Sequence, residues 1–200
     1  LGLPLEAEAI LILESDGAAA DVVQREIETM AQVCRENGAS EVRVAQDETE
    51  RAQLWRARRS VSPSLARRAP NKLGEDISVP RAAIPEAVRE IKRISEKYAL
   101  PIAVFGHAGD GNLHPNILFD KRDPDQWRRV EAATGEVFAA ALRLGGTLSG
   151  EHGVGVLKQP YLQDDLGPVG METMKRIKET LDPLNILNPG KIFPPAAKAS

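Results

Sequence analysis

The chain has 200 residues, of which 42% are hydrophobic and 28% are charged, with a formal net charge of −3 and a pI of about 5.7. This composition is typical of a globular domain with a sizeable core, and the slightly acidic balance excludes a general electrostatic attraction to nucleic acid. A single cysteine, Cys34, excludes an intrachain disulfide. No apolar run approaches the roughly 20 residues that a membrane span requires.

The first residues carry acidic side chains and lack the basic stretch of a signal peptide. We therefore expect a cytoplasmic location, with peripheral attachment at the inner face of a membrane as the alternative. Because the sequence starts at Leu1 rather than at a methionine, we also expect it to be part of a longer protein.

In the first third of the chain the patterns predict two strand–helix pairs. The apolar run Ala9 to Glu14 is typical of a buried strand, and an amphipathic helix follows it and stops at Gly38. Residues 41 to 46 alternate between polar and apolar side chains, which predicts a second strand. The next helix opens at Asp47 or Thr49 and ends near Ser60, where Pro63 limits its continuation.

The remaining patterns predict a strand, a helix and then a hairpin. The strand covers residues 75–80, the helix 85–98, and the hairpin strands 100–107 and 113–119. A long helix over 123–144, a glycine-rich loop over 145–155 and a helix over 168–181, with an apolar stripe expected in the core, complete the chain. Because the hairpin is antiparallel, we predict an α+β fold, a ferredoxin-like antiparallel sheet with helices packed on one face, rather than a doubly wound parallel sheet.

Two of the three histidines lie in the hairpin, in the segment GHAGDGNLHPN (106–116). If Asp110 and Gly111 form a two-residue loop, His107 and His114 become a direct cross-strand pair with Cβ atoms about 4.5–5.5 Å apart. Alternation then places Asn112 and Asn116 on the same face, and Val104, Leu113 and Ile117 on the core face. A shared metal ion suits two such close imidazoles, and a hydrogen-bonded histidine pair is the alternative.

The third histidine lies in a glycine-rich segment, SGEHGVG (149–155). Glu151 would complete a His-His-Glu metal site, and His152 would remain free as a general base. The alternative for this segment is a surface loop that terminates a helix. A metal site explains why every histidine of the chain lies in a glycine-rich segment.

Three motifs give the chain a resemblance to a known family: GHAGDGNLHPN (106–116), SGEHGVG (149–155) and LDPLNILNPGKIF (181–193). They resemble the C-terminal domain of FAD-linked oxidases that act on 2-hydroxy acids. These vanillyl-alcohol-oxidase-type flavoproteins include the glycolate oxidase flavin subunit, cytochrome-type D-lactate dehydrogenase and D-2-hydroxyglutarate dehydrogenase. The resemblance extends, with weaker motifs, over nearly the whole chain. It implies that residues 1–200 are a substrate-binding cap domain, and that an N-terminal FAD-binding domain is missing from this chain.

The resemblance also implies roles for particular residues. His107, His114 and Glu151 would bind a divalent metal, with zinc expected, and His152 would act as the catalytic base. The expected substrate contacts are Arg58, Asn116, Ser62 and Lys72, of which the last two match the family pattern less closely. The expected cofactor contacts are Asn188, Gly190 and Lys191, and a turn after Pro189 that closes the last helix is the alternative.

The function that follows is oxidation of a D-2-hydroxy acid, such as glycolate or lactate, to the 2-oxo acid by hydride transfer to FAD. The carboxylate and adjacent hydroxyl of such a substrate form a natural metal chelate, and the flavin supplies the redox chemistry. The partners would be the N-terminal FAD domain, the substrate and an electron acceptor, with a homo-oligomer as an open option; this fragment alone should be inactive. The alternatives are a metal-dependent hydrolase and a non-catalytic binding module, for which the arginine-rich residues 51–72 are the feature to consider.

Overall fold

The computed structural model describes Pro4 and residues 6–194, and the chain divides into two compact units, residues 1–64 and 65–200. The first unit contains helix α1 (Ala20–Glu36) and most of helix α2 (Glu48–Leu65). Helix α2 continues two residues past Pro63, so the predicted helix end near Ser60 was too early.

The two strands predicted in the first unit are absent from its described residues. Residues 9–14 and 41–46 have no assigned secondary structure, and Ile10, Leu11 and Leu13 are half exposed or more. A strand is stabilised by a hydrogen-bonded neighbour, and no described segment of this unit supplies one. The prediction was wrong because an apolar run shows a preference for extended backbone but does not supply its partner strand.

The second unit is organised around a four-stranded antiparallel sheet. Its strands are β1 (Asn71–Gly74), β2 (Ile77–Ser78), β3 (Ile102–His107) and β4 (Asn112–Phe119). Strand β4 is central: β3 pairs with one edge, while β1 and β2 share the other edge. All pairings are antiparallel, which confirms the predicted α+β class and excludes the doubly wound parallel sheet.

Helices α3 (Ile84–Tyr98) and α4 (Pro124–Arg143) cover one face of this sheet. Asp123 caps α4 by accepting hydrogen bonds from the backbone N–H groups of Asp125 (2.9 Å) and Gln126 (3.3 Å). The core between helices and sheet includes Ile77, Ile91, Ile94, Ile117, Val130 and Phe138. The prediction of helices packed on one sheet face is therefore confirmed.

Helix α5 (Leu162–Leu181) is bent at Gly167, whose φ of 66° is not helical. Its apolar stripe was expected in the core, yet Ile177 is 55% exposed and Leu181 is 76% exposed. Helical spacing shows that apolar residues share a face but does not show what covers that face. Among the described residues, no helix combines the length and apolar character that crossing a membrane would require.

Candidate metal and active site

The hairpin between β3 and β4 has a different register from the predicted one. His107 pairs with Asn112, and Phe105 pairs with His114. The loop has four residues, 108–111, and the backbone N–H groups of Asp110 (3.3 Å) and Gly111 (3.0 Å) both donate to the carbonyl of His107. The prediction of a direct cross-strand histidine pair was therefore wrong.

The four-residue loop lies against Val79, the residue that follows strand β2. Gly111 has a φ of 83°, and its carbonyl accepts a hydrogen bond from the N–H of Val79 at 3.0 Å. A Cβ at this position would lie 1.9 Å from the carbonyl oxygen of Val79, so only glycine fits. Gly111, which was predicted to form half of a two-residue turn, instead allows the hairpin loop to contact Val79.

His107 and His114 still lie close together. The observed register differs from the predicted one by two residues, which leaves both side chains on the same face of the sheet. Their ring centroids are 5.5 Å apart in an edge-to-face arrangement. Asn112, His114 and Asn116 alternate along β4 on this face, and all three are buried. The opposite face supplies Leu113 and Ile117 to the core, as predicted.

The glycine-rich loop of residues 149–155 brings the other two predicted residues to the hairpin. Glu151 Oε1 lies 3.3 Å from His114 Nε2 and 3.6 Å from His152 Nε2. The rings of His114 and His152 stack, with centroids 5.2 Å apart and planes 14° from parallel. One ligand atom each from His107, His114 and Glu151 fit within 4.8 Å of one another, so the structure gathers the predicted set.

The imidazole of His114 suits a metal ligand. Burial lowers the pKa of His114, although the carboxylates of Glu151 and Asp76 oppose this effect, so the neutral form that binds cations is favoured. Its Nδ1 is buried and has no hydrogen-bond partner among the described residues. Two imidazoles and one carboxylate form a donor set typical of zinc sites with an open position, so these residues fit a divalent metal.

Sequence reasoning missed Asp76, which is fully buried beneath this loop. Its carboxylate accepts hydrogen bonds from the side chains of Asn112 (2.6 Å) and Ser149 (2.8 Å) and from the N–H groups of Glu151 (3.1 Å) and His152 (2.8 Å). Burial acts to raise the pKa of Asp76, but these hydrogen bonds together hold it well below its usual range. The available signal was an acid pair, Glu75-Asp76, at the start of an apolar strand.

A second missed residue is Lys158, a lysine that is only 4% exposed. Its Nζ donates to the backbone carbonyl of Asp76 at 2.7 Å and lies 3.3 Å from the carboxylate Oδ2. The neighbouring Glu75 is also buried, and this burial raises its pKa to about 7 despite the attraction of Lys158. Asp76 and Lys158 therefore form a buried ion pair next to the histidine cluster, and Glu75 is a further buried ionisable group beside that pair.

The predicted substrate residues are distributed over both units. Arg58 and Ser62 lie one helical turn apart on α2, half buried, in the first unit. Lys72 lies on β1 and pairs with Leu118, while Gly74 of the same strand pairs with Asn116. Lys72 and Asn116 therefore share a sheet face, and each of Arg58, Ser62 and Lys72 makes interactions within the protein.

The predicted cofactor residues lie in the segment after α5, which is tied to the glycine-rich loop. The N–H of Ile192 donates to the carbonyl of Gly155 at 2.8 Å, and the side chain of Gln159 donates to that of Gly190 at 3.4 Å. Lys191 N–H donates to the carbonyl of Asn188 at 3.3 Å in a turn around Pro189, but α5 already ends at Leu181, so this turn does not close the last helix. The structure thus places this segment beside the loop that carries Glu151 and His152.

Comparisons with known proteins agree with this architecture. The family model for FAD linked oxidases, C-terminal domain, matches residues 1–192. The chain is 47% identical over 193 residues to the glycolate oxidase subunit GlcD of Bacillus subtilis, covering 96% of this chain and 41% of that protein. It is 34% identical to the D-2-hydroxyglutarate dehydrogenase of Stutzerimonas stutzeri, covering 91% of this chain and 40% of that protein.

A third relative and a solved structure complete the comparison. The D-lactate dehydrogenase [cytochrome], mitochondrial, of Arabidopsis thaliana is 34% identical over 97% of this chain and 34% of its own length. A crystal structure of p-cresol methylhydroxylase with substrate bound matches with a TM-score of 0.50 and 21% identity, over 62% of this chain and 24% of that one, which supports the fold alone. The chain spans about two fifths of the length of the first two relatives.

Proposed function

The chain belongs to the family of FAD-linked oxidase C-terminal domains, and we propose that it binds a D-2-hydroxy acid and presents it for oxidation to the 2-oxo acid in a longer, FAD-dependent oxidoreductase. The observation that supports this best is the cluster of His107, His114, Glu151 and His152 on one sheet face. The relatives' names concern glycolate, D-lactate and D-2-hydroxyglutarate, which all have a hydroxyl next to a carboxylate.

In this proposal His107, His114 and Glu151 hold a divalent cation, with zinc as the expected metal. When bound, the metal would draw electron density from the substrate hydroxyl and lower its pKa. His114 provides a buried and neutral nitrogen, while Glu151 provides the anionic oxygen 3.3 Å away. Because Glu151 is about half exposed, this side of the site remains open to a small ligand.

His152 is the proposed catalytic base, which accepts the proton of the substrate hydroxyl. Its ring is about half exposed, it stacks on His114, and its Nε2 lies 3.6 Å from Glu151 Oε1. Stacking on His114 limits the orientations of the ring. The base is thereby positioned beside the residues that would hold the hydroxyl.

Arg58 is the proposed contact to the substrate carboxylate, and Asn116, Ser62 and Lys72 are proposed as further contacts to the substrate. A guanidinium forms charge-assisted, two-pronged hydrogen bonds with a carboxylate, which makes Arg58 the strongest of these. The side-chain amide of Asn116 donates to the carbonyl of His114 at 2.7 Å, which fixes its orientation beside the histidine cluster. Positively charged donors together with an amide suit a small anionic hydroxy acid.

FAD would be held mainly by an N-terminal domain of the full-length protein and would be the electron acceptor for the substrate. The proposed contacts from this chain to FAD are Asn188, Gly190 and Lys191. Their segment is hydrogen-bonded to the loop that carries the proposed catalytic base. The flavin would be reoxidised by a separate electron acceptor. A homo-oligomer is compatible with this arrangement but is not required by it.

The test is to purify the full-length protein that contains this chain and assay it with glycolate, D-lactate and D-2-hydroxyglutarate and an artificial electron acceptor. We expect a yellow protein that reduces the acceptor with at least one of these substrates. His152→Gln should lower kcat by about 100-fold or more with little change in bound metal, because a general base typically contributes that much. A colourless protein, or ester hydrolysis without an acceptor, would contradict the proposal and favour a metal-dependent hydrolase.

A further inference from the structure

Beneath the histidine cluster lies a buried carboxylate that has no assigned part in the proposed reaction. Asp76 is 0% exposed and follows another buried acid, Glu75, in the two-residue link between β1 and β2. Its side chain is the acceptor for at least five donors, from Asn112, Ser149, Glu151, His152 and Lys158. Such a concentration of donors on one buried anion requires an explanation beyond local packing.

The bonds from the glycine-rich loop fix the two residues that matter most. The N–H groups of Glu151 and His152 both point at the carboxylate, at 3.1 Å and 2.8 Å. Ser149 donates its hydroxyl to the same carboxylate and accepts the N–H of Gly153 at 2.8 Å. The loop is therefore wrapped around Asp76, and this arrangement determines where the side chains of Glu151 and His152 project.

The same carboxylate also faces His114. Asp76 Oδ1 lies 4.0 Å from His114 Nδ1, the nitrogen that has no hydrogen-bond partner among the described residues. His114 Nε2 is directed at Glu151, so a cation held there leaves the proton on Nδ1. A separation of 4.0 Å is too long for a hydrogen bond, so Asp76 acts on His114 only through its negative charge.

We propose that Asp76 is the positioning residue of this site: it holds Glu151 and His152 in place by accepting hydrogen bonds from their backbone amides. The inference rests on the proposed function in that it assumes a metal held by His107, His114 and Glu151. It adds a residue that touches neither substrate nor metal and yet fixes two of the four residues that do.

Asp76 could itself be considered a ligand, because Asp76, His114 and His152 also offer ligand atoms within 4.8 Å of one another. The hydrogen bonds argue against this role. Oδ1 accepts from Asn112 and Glu151, while Oδ2 accepts from Ser149, His152 and Lys158. A carboxylate with both oxygens engaged in this way has no lone pair directed at a cation.

Lys158 is the counter-ion that makes this buried anion tolerable. Both side chains are almost fully buried, and an unpaired charge in that environment would be strongly destabilising. Lys158 also donates to the backbone carbonyl of Asp76, which fixes the segment that carries the carboxylate. Its role is therefore to stabilise Asp76, and only through Asp76 does it affect the site.

The test uses the full-length protein and compares Asp76→Asn with Asp165→Asn. Asp165 is a matched control, because it accepts from the Thr147 hydroxyl (2.6 Å) and the Leu148 N–H (3.0 Å) just before the loop but does not contact Glu151 or His152. Zinc affinity is measured by chelator competition, and amide hydrogen exchange is followed on peptides that separate residues 147–148 from residues 151–152. Asp76→Asn should weaken zinc binding by about 10- to 100-fold and speed exchange at 151–152, whereas Asp165→Asn should speed exchange only at 147–148.

A double variant separates positioning from folding. Asp76→Asn and Lys158→Met should each lower the thermal midpoint, because each leaves one buried charge unpaired. The double variant removes both charges, so the thermal midpoint should recover in part while zinc affinity stays low. Zinc affinity that recovers together with the thermal midpoint would overturn the inference, as would equal zinc affinities in Asp76→Asn and Asp165→Asn.

The exchange measurement keeps this inference distinct from the proposed function. If the wild-type protein binds no zinc, the proposed metal site is wrong, yet faster exchange at 151–152 in Asp76→Asn would still support the positioning of the loop. If zinc binds but exchange at 151–152 is the same in wild type and Asp76→Asn, the proposed function survives and the positioning role is overturned.

Discussion

The two faces of strand β4 differ in chemistry although they belong to the same eight residues. One face presents Leu113 and Ile117 to helices α3 and α4 and forms the core. The other presents Asn112, His114 and Asn116, which are equally buried but polar. Because side chains alternate along a strand, one short segment can supply both the stability of the fold and the chemistry of the site.

Burial alone therefore does not distinguish structural residues from candidate functional residues on β4. On the core face, burial is favourable in itself, at about 25 cal/mol for each Å² of apolar surface. On the site face, each buried polar group needs a partner, and His114 Nδ1 and Asn112 Oδ1 have none among the described residues. These two atoms give the site face unused hydrogen-bonding capacity, which a ligand bound there would meet.

The largest effect on stability is expected on the core face. Ile117→Ala should lower the free energy of unfolding by about 2–5 kcal/mol, because it leaves a cavity at a fully buried position. Urea unfolding measures the change, with Val88→Ala on α3 as a control at 39% exposure. Zinc affinity of the folded variant should equal that of the wild type; a large loss would show that the two faces are not independent.

The next effect concerns Glu75, an acid that is buried although it is not on the polar face of β4. Burial raises its pKa to about 7 from 4.5, so the folded protein binds this proton more tightly than the unfolded chain. The free energy of unfolding should therefore fall as pH rises from about 4.5 to 7, on the order of 1.4 kcal/mol for each pKa unit. Glu75→Gln removes this loss, so its stability relative to wild type should improve between pH 5 and pH 8.

Asp182→Asn is the control for this pH dependence. The hydrogen bond from Lys178 is the main cause that lowers the pKa of Asp182. Ionised Asp182 therefore contributes to the free energy of unfolding above pH 3.8, and this contribution is lost only as pH falls further. The difference between Asp182→Asn and wild type should be constant from pH 5 to pH 8. If Glu75→Gln shows the same flat profile, Glu75 is not the source of the pH dependence.

The third effect concerns the close contact between Gly111 of the hairpin loop and Val79. Gly111→Ala and Gly145→Ala both place alanine at a positive φ, 83° and 77°, which costs about 1–2 kcal/mol. Only at Gly111 would the new Cβ also lie 1.9 Å from the carbonyl oxygen of Val79; at Gly145 the nearest atom, in Pro80, is 3.8 Å away. Chemical denaturation should therefore show a larger loss for Gly111→Ala, and equal losses would mean that β2 moves away freely.

These positions show how far the sequence could predict the molecule. Alternation placed His107, His114 and Asn116 on one face and Ile117 on the other, and a two-residue register error left that result intact because it preserves parity. Asp76 escaped prediction because its donors Glu151 and His152 lie 75 and 76 residues away along the chain. No local pattern reveals a contact that depends on how the glycine-rich loop folds back over the sheet.

The failed predictions share a physical cause with that omission. The strand expected at residues 9–14 and the buried stripe of α5 were inferred correctly as apolar patterns, but Leu11 is 63% exposed and Leu181 is 76% exposed. An apolar pattern predicts that a surface favours burial, whereas the covering surface is a property of the whole protein. Local motifs thus predicted which side chains lie close together better than they predicted the packing around them.

The smallest effect on stability is expected at the edge of the site face, where function should be most affected. Glu151→Gln should change the free energy of unfolding by no more than about 0.5 kcal/mol, because the side chain is about half exposed. Glu172→Gln is the control, since Glu172 is 55% exposed and also contacts a basic side chain, Arg176, at 2.9 Å. Zinc affinity should fall by at least about 10-fold in Glu151→Gln but not in Glu172→Gln. Loss of a residue that only hydrogen-bonds to a metal ligand already costs about that much, and loss of a ligand itself should cost no less. Equal zinc affinities in the two variants would remove Glu151 from the site, and the two faces of β4 would then differ in polarity without differing in function.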